Sequence, residues 1–366
     1  MSSFGINVFD FGDVGDGIAD DTAAIQAAID YTADRGGGRI LFPYTKGGYR
    51  VASPAIEEYC GKPLRSQLVI PPGSANIQLV GEMPCRMLNA YIVRPPESAA
   101  AGFKPTRFTE YTGVALGSWN TRIFSDWDAP EEYDATARPW SIISAPEGTS
   151  LKGKFSAFQF SIANLDFRVP MRTDKMYPTQ SAVNLQNVSR VNICDSQFAL
   201  SESVGDTILD KELSQNPTHS AALILSGDQN DNNVLRNVSV QGFRYGIVAG
   251  EHVVADYLYV HNCEEGITFH DASHLSVINH IVAQHNRVII STTDTDLYGM
   301  PKGPCNLEIG SVNFECGTGL KPRICELKYG VRDTGGRLHG HLKWHKPWGK
   351  QEFPCLCTDS FRVEKF

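Results

Sequence analysis

The sequence lacks the features that mark membrane proteins and nucleic-acid-binding proteins. None of its apolar runs is long enough to cross a bilayer. It has no block of basic residues that would neutralise a row of phosphates. Lysine and arginine together number 33 against 41 aspartates and glutamates, so the formal net charge is −8. We therefore expect neither a membrane nor a nucleic acid among the partners of this protein.

The cysteines and histidines form no recognisable pattern of disulfide bonds or metal ligands. Nine cysteines are present at irregular spacings, and because their number is odd, reduced thiols are expected. No H-E-x-x-H or comparable metal-binding spacing occurs, and no cofactor is expected. Residues 1 to 5 contain neither a basic nor an apolar region, so no signal peptide is recognised. A cytoplasmic location is expected, with secretion as the alternative if a signal peptide has been removed.

The first 51 residues predict a strand, a turn, a helix and two further strands. Residues 6 to 11 form the first strand, and a turn rich in glycine and aspartate follows over residues 12 to 17. Asp20-Asp21-Thr22 offers oxygens that cap a helix N-terminus, and Gly36-Gly37-Gly38 ends the helix. The turn lacks the G-x-G-x-x-G spacing of a dinucleotide site, so nucleotide binding is not favoured.

The opening string INVFDFGDVGDGIADDTAAIQAAID, followed by GGGRILFP and GGYRV, resembles the N-terminal segment of the pectate-lyase-like superfamily. In that superfamily the segment caps a right-handed parallel β-helix, and extended sugars bind along an exposed sheet face. Its members include glycoside hydrolases, polysaccharide lyases and phage tailspike proteins. The resemblance covers residues 6 to 51 and implies a fold and a carbohydrate substrate, not a reaction. It also implies a homotrimer, because trimers are common among these relatives.

Apolar strands that recur after residue 155 predict the coils of a solenoid. Five segments align at intervals of roughly 20 residues or more: 182–186, 222–226, 246–250, 266–270 and 288–292. We therefore predict an all-β fold, a right-handed single-stranded parallel β-helix capped by a short N-terminal α-helix. A single domain, 1–366, is expected, with a cap over 1–51, an irregular insertion over 81–150 and a closing segment over 317–366.

The alignment of the coils places an acid just after each of four strands. These acids are the candidate catalytic residues Asp228, Glu251, Asp271 and Asp294. Two carboxylates on neighbouring coils repel each other, so one of them would hold a proton and serve as a general acid. Glycosidases use two such groups, about 5 Å apart when they retain the anomeric configuration and roughly 6.5–9.5 Å apart when they invert it. The sequence leaves both outcomes open.

Several polar and aromatic side chains are candidates for sugar binding. His270, next to Asp271, is placed to assist protonation or to hydrogen-bond a sugar hydroxyl. Aromatic faces suit the C–H faces of sugar rings, and the insertion over 81–150 is rich in aromatic residues. Its candidates for sugar binding are Trp119, Arg122, Trp127 and Tyr133. The alternative role for these residues is structural, as anchors of the loop.

The predicted row of acids favours a glycoside hydrolase or glycosyl-transferring enzyme that acts on an oligo- or polysaccharide. The Asn-Thr-Asp and Arg-Ile-Lys signatures of polygalacturonases are absent, so no catalytic residue is carried over from them. Glu264 and Glu265 would replace the four acids if the cleft lay along their edge of the coils.

Two other functions stay open. A polysaccharide lyase would need a cation beside the uronate carboxylate, either Ca²⁺ or an arginine such as Arg244 or Arg287 at the coil edges. A non-catalytic, glycan-binding or tailspike-like β-helix is the third hypothesis.

Overall fold

The structure is a computed structural model that describes residues 5–83, 120–134, 136–148, 155–170, 177–201, 218–225, 232–250, 252–269, 276–292, 298, 307–315, 323–327 and 338–344. These residues are built mainly from β-strands, with one α-helix, α1 (Thr22–Asp34), and one 3₁₀ helix, η1 (Val8–Phe11). A search of the same residues finds no helix long and apolar enough to span a membrane.

Two large sheets run along the molecule, and nearly all of their strand pairs are parallel. Sheet I contains β1 (Ile6–Asn7), β2 (Gly38–Phe42), β3 (Tyr49–Val51), β6 (Ile77–Gly81), β7 (Arg122–Ser125), β10 (Ser161–Ala163), β11 (Asp166–Val169), β14 (Asn192–Leu200), β16 (Asn233–Gln241), β18 (Val253–His261), β20 (Ser276–Gln284), β22 (Leu307–Glu315) and β24 (Leu338–Trp344). Sheet II contains β4 (Ile56–Tyr59), β5 (Lys62–Val69), β8 (Trp140–Ser144), β12 (Gln180–Leu185), β15 (Ala221–Leu225), β17 (Tyr245–Ala249), β19 (Glu265–Phe269), β21 (Val288–Thr292) and β23 (Arg323–Leu327). A third sheet pairs β9 (Ala157–Phe158) with β13 (Val188–Ser189).

From β14 onward the chain alternates between the two sheets, so each coil adds one strand to each. In sheet II the buried side chains of Leu223, Ile247, Ile267 and Ile290 pair on successive strands. Their numbers lie 20 to 24 residues apart, which is one coil. Crossovers between parallel strands are right-handed. The arrangement confirms the predicted right-handed parallel β-helix.

One of the five predicted segments is out of register. Ile267 pairs with Ile290, so Gly266 lies beside Ile289 and not beside Val288, as the sequence alignment assumed. The alignment of this last segment was therefore wrong by one residue. Val288, Ile289 and Ile290 are all apolar and all buried, so the sequence shows no alternation that would fix the register.

The N-terminal segment forms the predicted helix and the two strands after it, but the predicted first strand over residues 6 to 11 was too long. Only Ile6–Asn7 form a strand, and Val8–Phe11 form the 3₁₀ helix η1, in which the Asn7 side chain accepts from the Phe9 N–H. Ile25, Ala28 and Ile29 of α1 are fully buried in the core. The glycines after the helix satisfy its last carbonyl groups, since Gly36 N–H donates to the Ala33 carbonyl at 2.9 Å and Gly37 N–H donates to the Thr32 carbonyl at 3.0 Å. That α1 caps the solenoid stays a prediction.

Strands also occur in the two regions for which the sequence shows no coil period. Within residues 81–150, β7 joins sheet I and β8 joins sheet II. Within residues 317–366, β23 and β24 extend both sheets. The described parts of these regions therefore belong to the coils.

Candidate functional site

Three charged residues occupy equal positions on three successive coils, where the chain turns from sheet I into sheet II. Arg244, Glu264 and Arg287 each come one residue before the strands β17, β19 and β21. The backbone N–H of Glu265 donates to the Arg244 carbonyl at 2.9 Å, and that of Val288 donates to the Glu264 carbonyl at 2.8 Å. We call these three stacked residues the arginine corner. Their charges alternate along the stack, so both arginines attract the glutamate between them.

Arg244 connects the arginine corner to a histidine on the preceding coil. Its Nε lies 3.5 Å from Glu264 Oε2, and its Nη1 lies 2.8 Å from His219 Nδ1. His219 Nε2 lies 2.8 Å from the carbonyl oxygen of Tyr133. Since a guanidinium can only donate, His219 accepts at Nδ1 and donates at Nε2, as a neutral imidazole does. Burial first, and the charge of Arg244 second, lower the pKa of His219 to about 4.

Glu264 is the residue of the corner whose titration is most suited to proton transfer. Its side chain is 12% exposed. Burial raises the pKa of its carboxyl group above the ordinary value, against the opposing charges of Arg244 and Arg287. A carboxyl group that keeps its proton to higher pH suits a general acid. Arg287 Nε is buried and finds no hydrogen-bond partner in the described part of the chain, so it has a donor to offer.

Glu265 lies next to the corner but is held differently. Its side chain is part of the buried outer face of sheet II, where its Oε2 accepts hydrogen bonds from Thr268 Oγ1 at 3.0 Å and from Ser291 Oγ. The two adjacent glutamates therefore differ in environment, one facing two arginines and the other facing two hydroxyl groups.

The outer face of sheet II is closed in the coils around the arginine corner. Ile224, Val248, Thr268 and Ser291 pair along this face, and all four are fully buried. The resemblance led us to expect an exposed sheet face for sugar binding, but this face offers none in the described coils. The arginine corner lies at its edge.

Tyr298 lies over the closed face. It packs with Ala221, Ile224, Tyr245 and Val248 in an apolar cluster. Its hydroxyl donates to the carbonyl of His219 at 2.6 Å, so this side chain also holds the backbone of the histidine that contacts the corner.

The sugar-binding candidates of the insertion lie in different surroundings. Arg122 Nε lies 3.7 Å from the buried Asp166 carboxylate, in sheet I. Trp127 packs edge-on against Trp140, with ring centroids 5.4 Å apart. Tyr133 is 42% exposed and its carbonyl binds His219, so it is the member of this group that reaches the arginine corner. Trp119 lies outside the described residues.

The four predicted catalytic acids, together with His270, lie outside the described residues, so their assignment stays a prediction. They are Asp228, Glu251, Asp271 and Asp294. The structure instead brings together Glu264, Arg244 and Arg287, which the sequence offered only as alternatives. His219 was missed, because it lies in a stretch that does not follow the coil period.

Comparison with known proteins identifies the N-terminal segment. Residues 5–83 match the family model described as rhamnogalacturonase A/epimerase, pectate lyase-like. This match confirms the predicted resemblance. The chain is also similar to mannuronan C5-epimerases of Azotobacter vinelandii: it is 59% identical to AlgE5 over 46 residues, which are 13% of this chain and 4% of that protein. With AlgE4 it shares 53% identity over 47 residues, which are 13% of this chain and 8% of AlgE4.

A solved structure supports the fold over most of the chain. The catalytic unit of a thermostable GH87 alpha-1,3-glucanase from Streptomyces thermodiastaticus superimposes with a TM-score of 0.50 over 93% of this chain, at 12% sequence identity. The match spans 54% of the glucanase chain, about half its length. At this identity the likeness concerns the fold alone.

Proposed function

We propose that this chain, a right-handed parallel β-helix whose first segment is pectate-lyase-like, is an enzyme that cleaves or transfers a glycosidic bond in an oligo- or polysaccharide. The observation that carries the proposal is Glu264, a largely buried carboxyl group with a raised pKa between two arginines on neighbouring coils. As general acid it would protonate the oxygen of the leaving sugar. Arg244 and Arg287 would bind the sugar through charge-assisted hydrogen bonds.

A second carboxyl group lies next to the corner, as glycosidic cleavage requires. Glu265 follows Glu264 in the chain, and Thr268 and Ser291 fix its Oε2. In the proposed reaction it acts as the base or nucleophile. Tyr133, an exposed residue whose backbone carbonyl accepts from His219, would contact a sugar ring beside the reacting bond.

The four acids proposed from the sequence define a competing hypothesis for the site. Glu251, Asp271 and Asp294 each follow by two residues a member of the paired row Ala249, Phe269 and Thr292. This regular spacing supports a row of acids. In the chain these three acids come after sheet II strands, whereas Glu264 comes directly before β19. The two sites are therefore alternatives.

Elimination beside a uronate carboxylate is the second candidate reaction, and the arginines favour it. A lyase must neutralise that carboxylate so that the neighbouring carbon loses its proton. Arg244 and Arg287 flank Glu264 on both sides, and Tyr177 is close enough to lower the pKa of Glu264. In this reaction the arginines take the role that Ca²⁺ takes in a metal-dependent lyase.

A product analysis with matched variants tests the site and the reaction together. The protein is incubated with neutral and uronate glycans, with and without a chelator, and products are analysed by mass and ultraviolet absorbance. Glu264→Gln is compared with Glu251→Gln and Asp271→Asn. Asp256→Asn, which changes an exposed acid on sheet I, is the control. We expect Glu264→Gln to lower the rate at least ~100-fold, the usual contribution of acid–base catalysis.

Each outcome assigns a reaction or rejects the site. Products heavier by one water per cleavage establish hydrolysis, whereas unsaturated products without added water establish elimination. If Glu264→Gln keeps full activity while Glu251→Gln or Asp271→Asn loses it, the site contains the acids predicted from the sequence and not Glu264. If no glycan is cleaved by the wild-type protein, the enzymatic proposal is wrong for the classes tested.

A further inference from the structure

The turn before α1 contains a buried carboxyl group without a partner. The Asp13 residue is only 7% exposed, and both of its carboxylate oxygens lack a hydrogen-bond partner in the described part of the chain. Its neighbours are different, since Asp16 accepts from the backbone N–H groups of Ile18 and Ala19, and Asp20 from that of Thr22. A buried carboxylate without partners is costly, so Asp13 requires a proton or a cation.

A second carboxylate lies close to Asp13. Asp21 is 2% exposed and accepts from the backbone N–H groups of Val14 at 2.8 Å and Arg50 at 3.1 Å. Burial, with the charge of Asp21 added, raises the pKa of Asp13 to about 8. The Arg50 guanidinium does not compensate these charges, because it binds Asp126 at 2.7 Å and the carbonyl of Ile18 at 2.9 Å.

We propose that Asp13 and Asp21 bind a calcium ion in the turn that leads into α1. Calcium accepts carboxylate, backbone carbonyl and water oxygens in irregular geometry, with about 6–8 ligands. Among the described residues no three His, Cys, Asp or Glu side chains come together, so the two carboxylates would be joined by carbonyl groups of the glycine-containing turn and by water. The role is structural, and it is independent of the glycan reaction proposed above.

The position of Tyr49 offers a direct readout. Its ring lies against the same turn, since a Cβ added at Gly15 would lie 3.2 Å from the Tyr49 ring. The charge of Asp13 contributes to raising the pKa of Tyr49, after burial. An excited tyrosine transfers energy to a nearby terbium ion, and Tb³⁺ takes the oxygen ligands that Ca²⁺ takes. Tb³⁺ bound at Asp13 should therefore emit on excitation of Tyr49.

The test measures Ca²⁺-dependent melting temperature and Tb³⁺ emission on the full chain at constant ionic strength. We expect CaCl₂ to raise the melting temperature in a saturable way and to displace Tb³⁺ emission. Asp13→Asn should lose both effects. Asp10→Asn, which removes an exposed charge from the segment before the turn, should keep them. Tyr49→Phe should lose most of the emission and keep the Ca²⁺-dependent stabilisation.

Two results would overturn the proposal. One is a wild-type protein with no saturable response to Ca²⁺ and no Tb³⁺ emission that Ca²⁺ displaces. The other is Asp13→Asn with an undiminished Ca²⁺ response, which places any bound ion elsewhere. If Asp13→Asn does not fold, loss of the Ca²⁺-displaceable emission in Tyr49→Phe supports the site, and full emission rejects it. No readout depends on enzymatic activity, so failure here and failure of the glycan reaction are distinguishable.

Discussion

At the scale of single residues, buried side chains without partners determine where the protein is sensitive to pH. His261 ends β18, is 2% exposed, and has two ring nitrogens without a hydrogen-bond partner in the described part of the chain. Burial lowers its pKa from 6.5 to about 3, and His285 acts in the same direction. Between these pH values the unfolded chain binds a proton that the folded chain does not. The stability contributed by neutral His261 is therefore complete above the unfolded pKa and is lost as the pH falls towards 3.

We expect His261→Leu to reduce the acid sensitivity of the fold. Between about pH 6 and pH 4, the slope of the free energy of unfolding against pH should be smaller in the variant. One proton fewer taken up on unfolding reduces this slope by up to ~1.4 kcal/mol per pH unit. At about pH 7 the substitution should leave the free energy of unfolding almost unchanged, because an apolar side chain replaces a buried polar one without partners. Urea unfolding across this pH range measures the slope. His280→Gln, at an exposed histidine, is the control, and an unchanged slope in His261→Leu would contradict the argument.

At the scale of elements, the strands could be predicted from the sequence, but one register could not. Four of the five apolar segments align as predicted, whereas Val288, Ile289 and Ile290 gave no alternation to fix β21. That slip had a consequence for the site. In the shifted alignment Arg287 matches Glu265, but in the structure it stacks with Glu264 and Arg244. The arginine corner is therefore visible in the sequence only when the register is right.

The coils also require a glycine at a specific position of β17. A Cβ at Gly246 would lie 2.3 Å from the Gly266 carbonyl oxygen and 2.9 Å from Val240 Cγ2. Because neighbouring coils stack here without space for a side chain, Gly246→Ala should lower the free energy of unfolding by about 3 kcal/mol. Gly36→Ala, in open space but with a φ of +83°, should cost only about 1 kcal/mol. Equal losses in the two variants, measured by chemical denaturation, would contradict the steric argument.

At the scale of the whole molecule, Tyr298 joins coils that are distant along the solenoid. It follows β21, yet it packs on β15 and β17, and its carbonyl accepts from Gln186 Nε2 at 2.6 Å beside β12. This contact could not be predicted from the sequence, because Tyr298 lies outside the coil period. Long-range contacts of this kind arise from packing and not from local pattern, so the closed outer face of sheet II was not predicted.

This contact couples the face of sheet II to the arginine corner. The Tyr298 hydroxyl donates to the His219 carbonyl, and the His219 ring accepts a hydrogen bond from the Arg244 guanidinium. Tyr298→Phe should remove one buried hydrogen bond, lower the free energy of unfolding by ~1 kcal/mol and increase hydrogen exchange at the residues flanking β15. Tyr257→Phe, at a tyrosine that is 37% exposed, should change neither quantity.

If the corner is the catalytic site, Tyr298→Phe should also lower the enzymatic activity, because His219 then positions Arg244 less firmly. Unchanged exchange near β15 would show that the packing of Tyr298, and not its hydroxyl, holds the coils together.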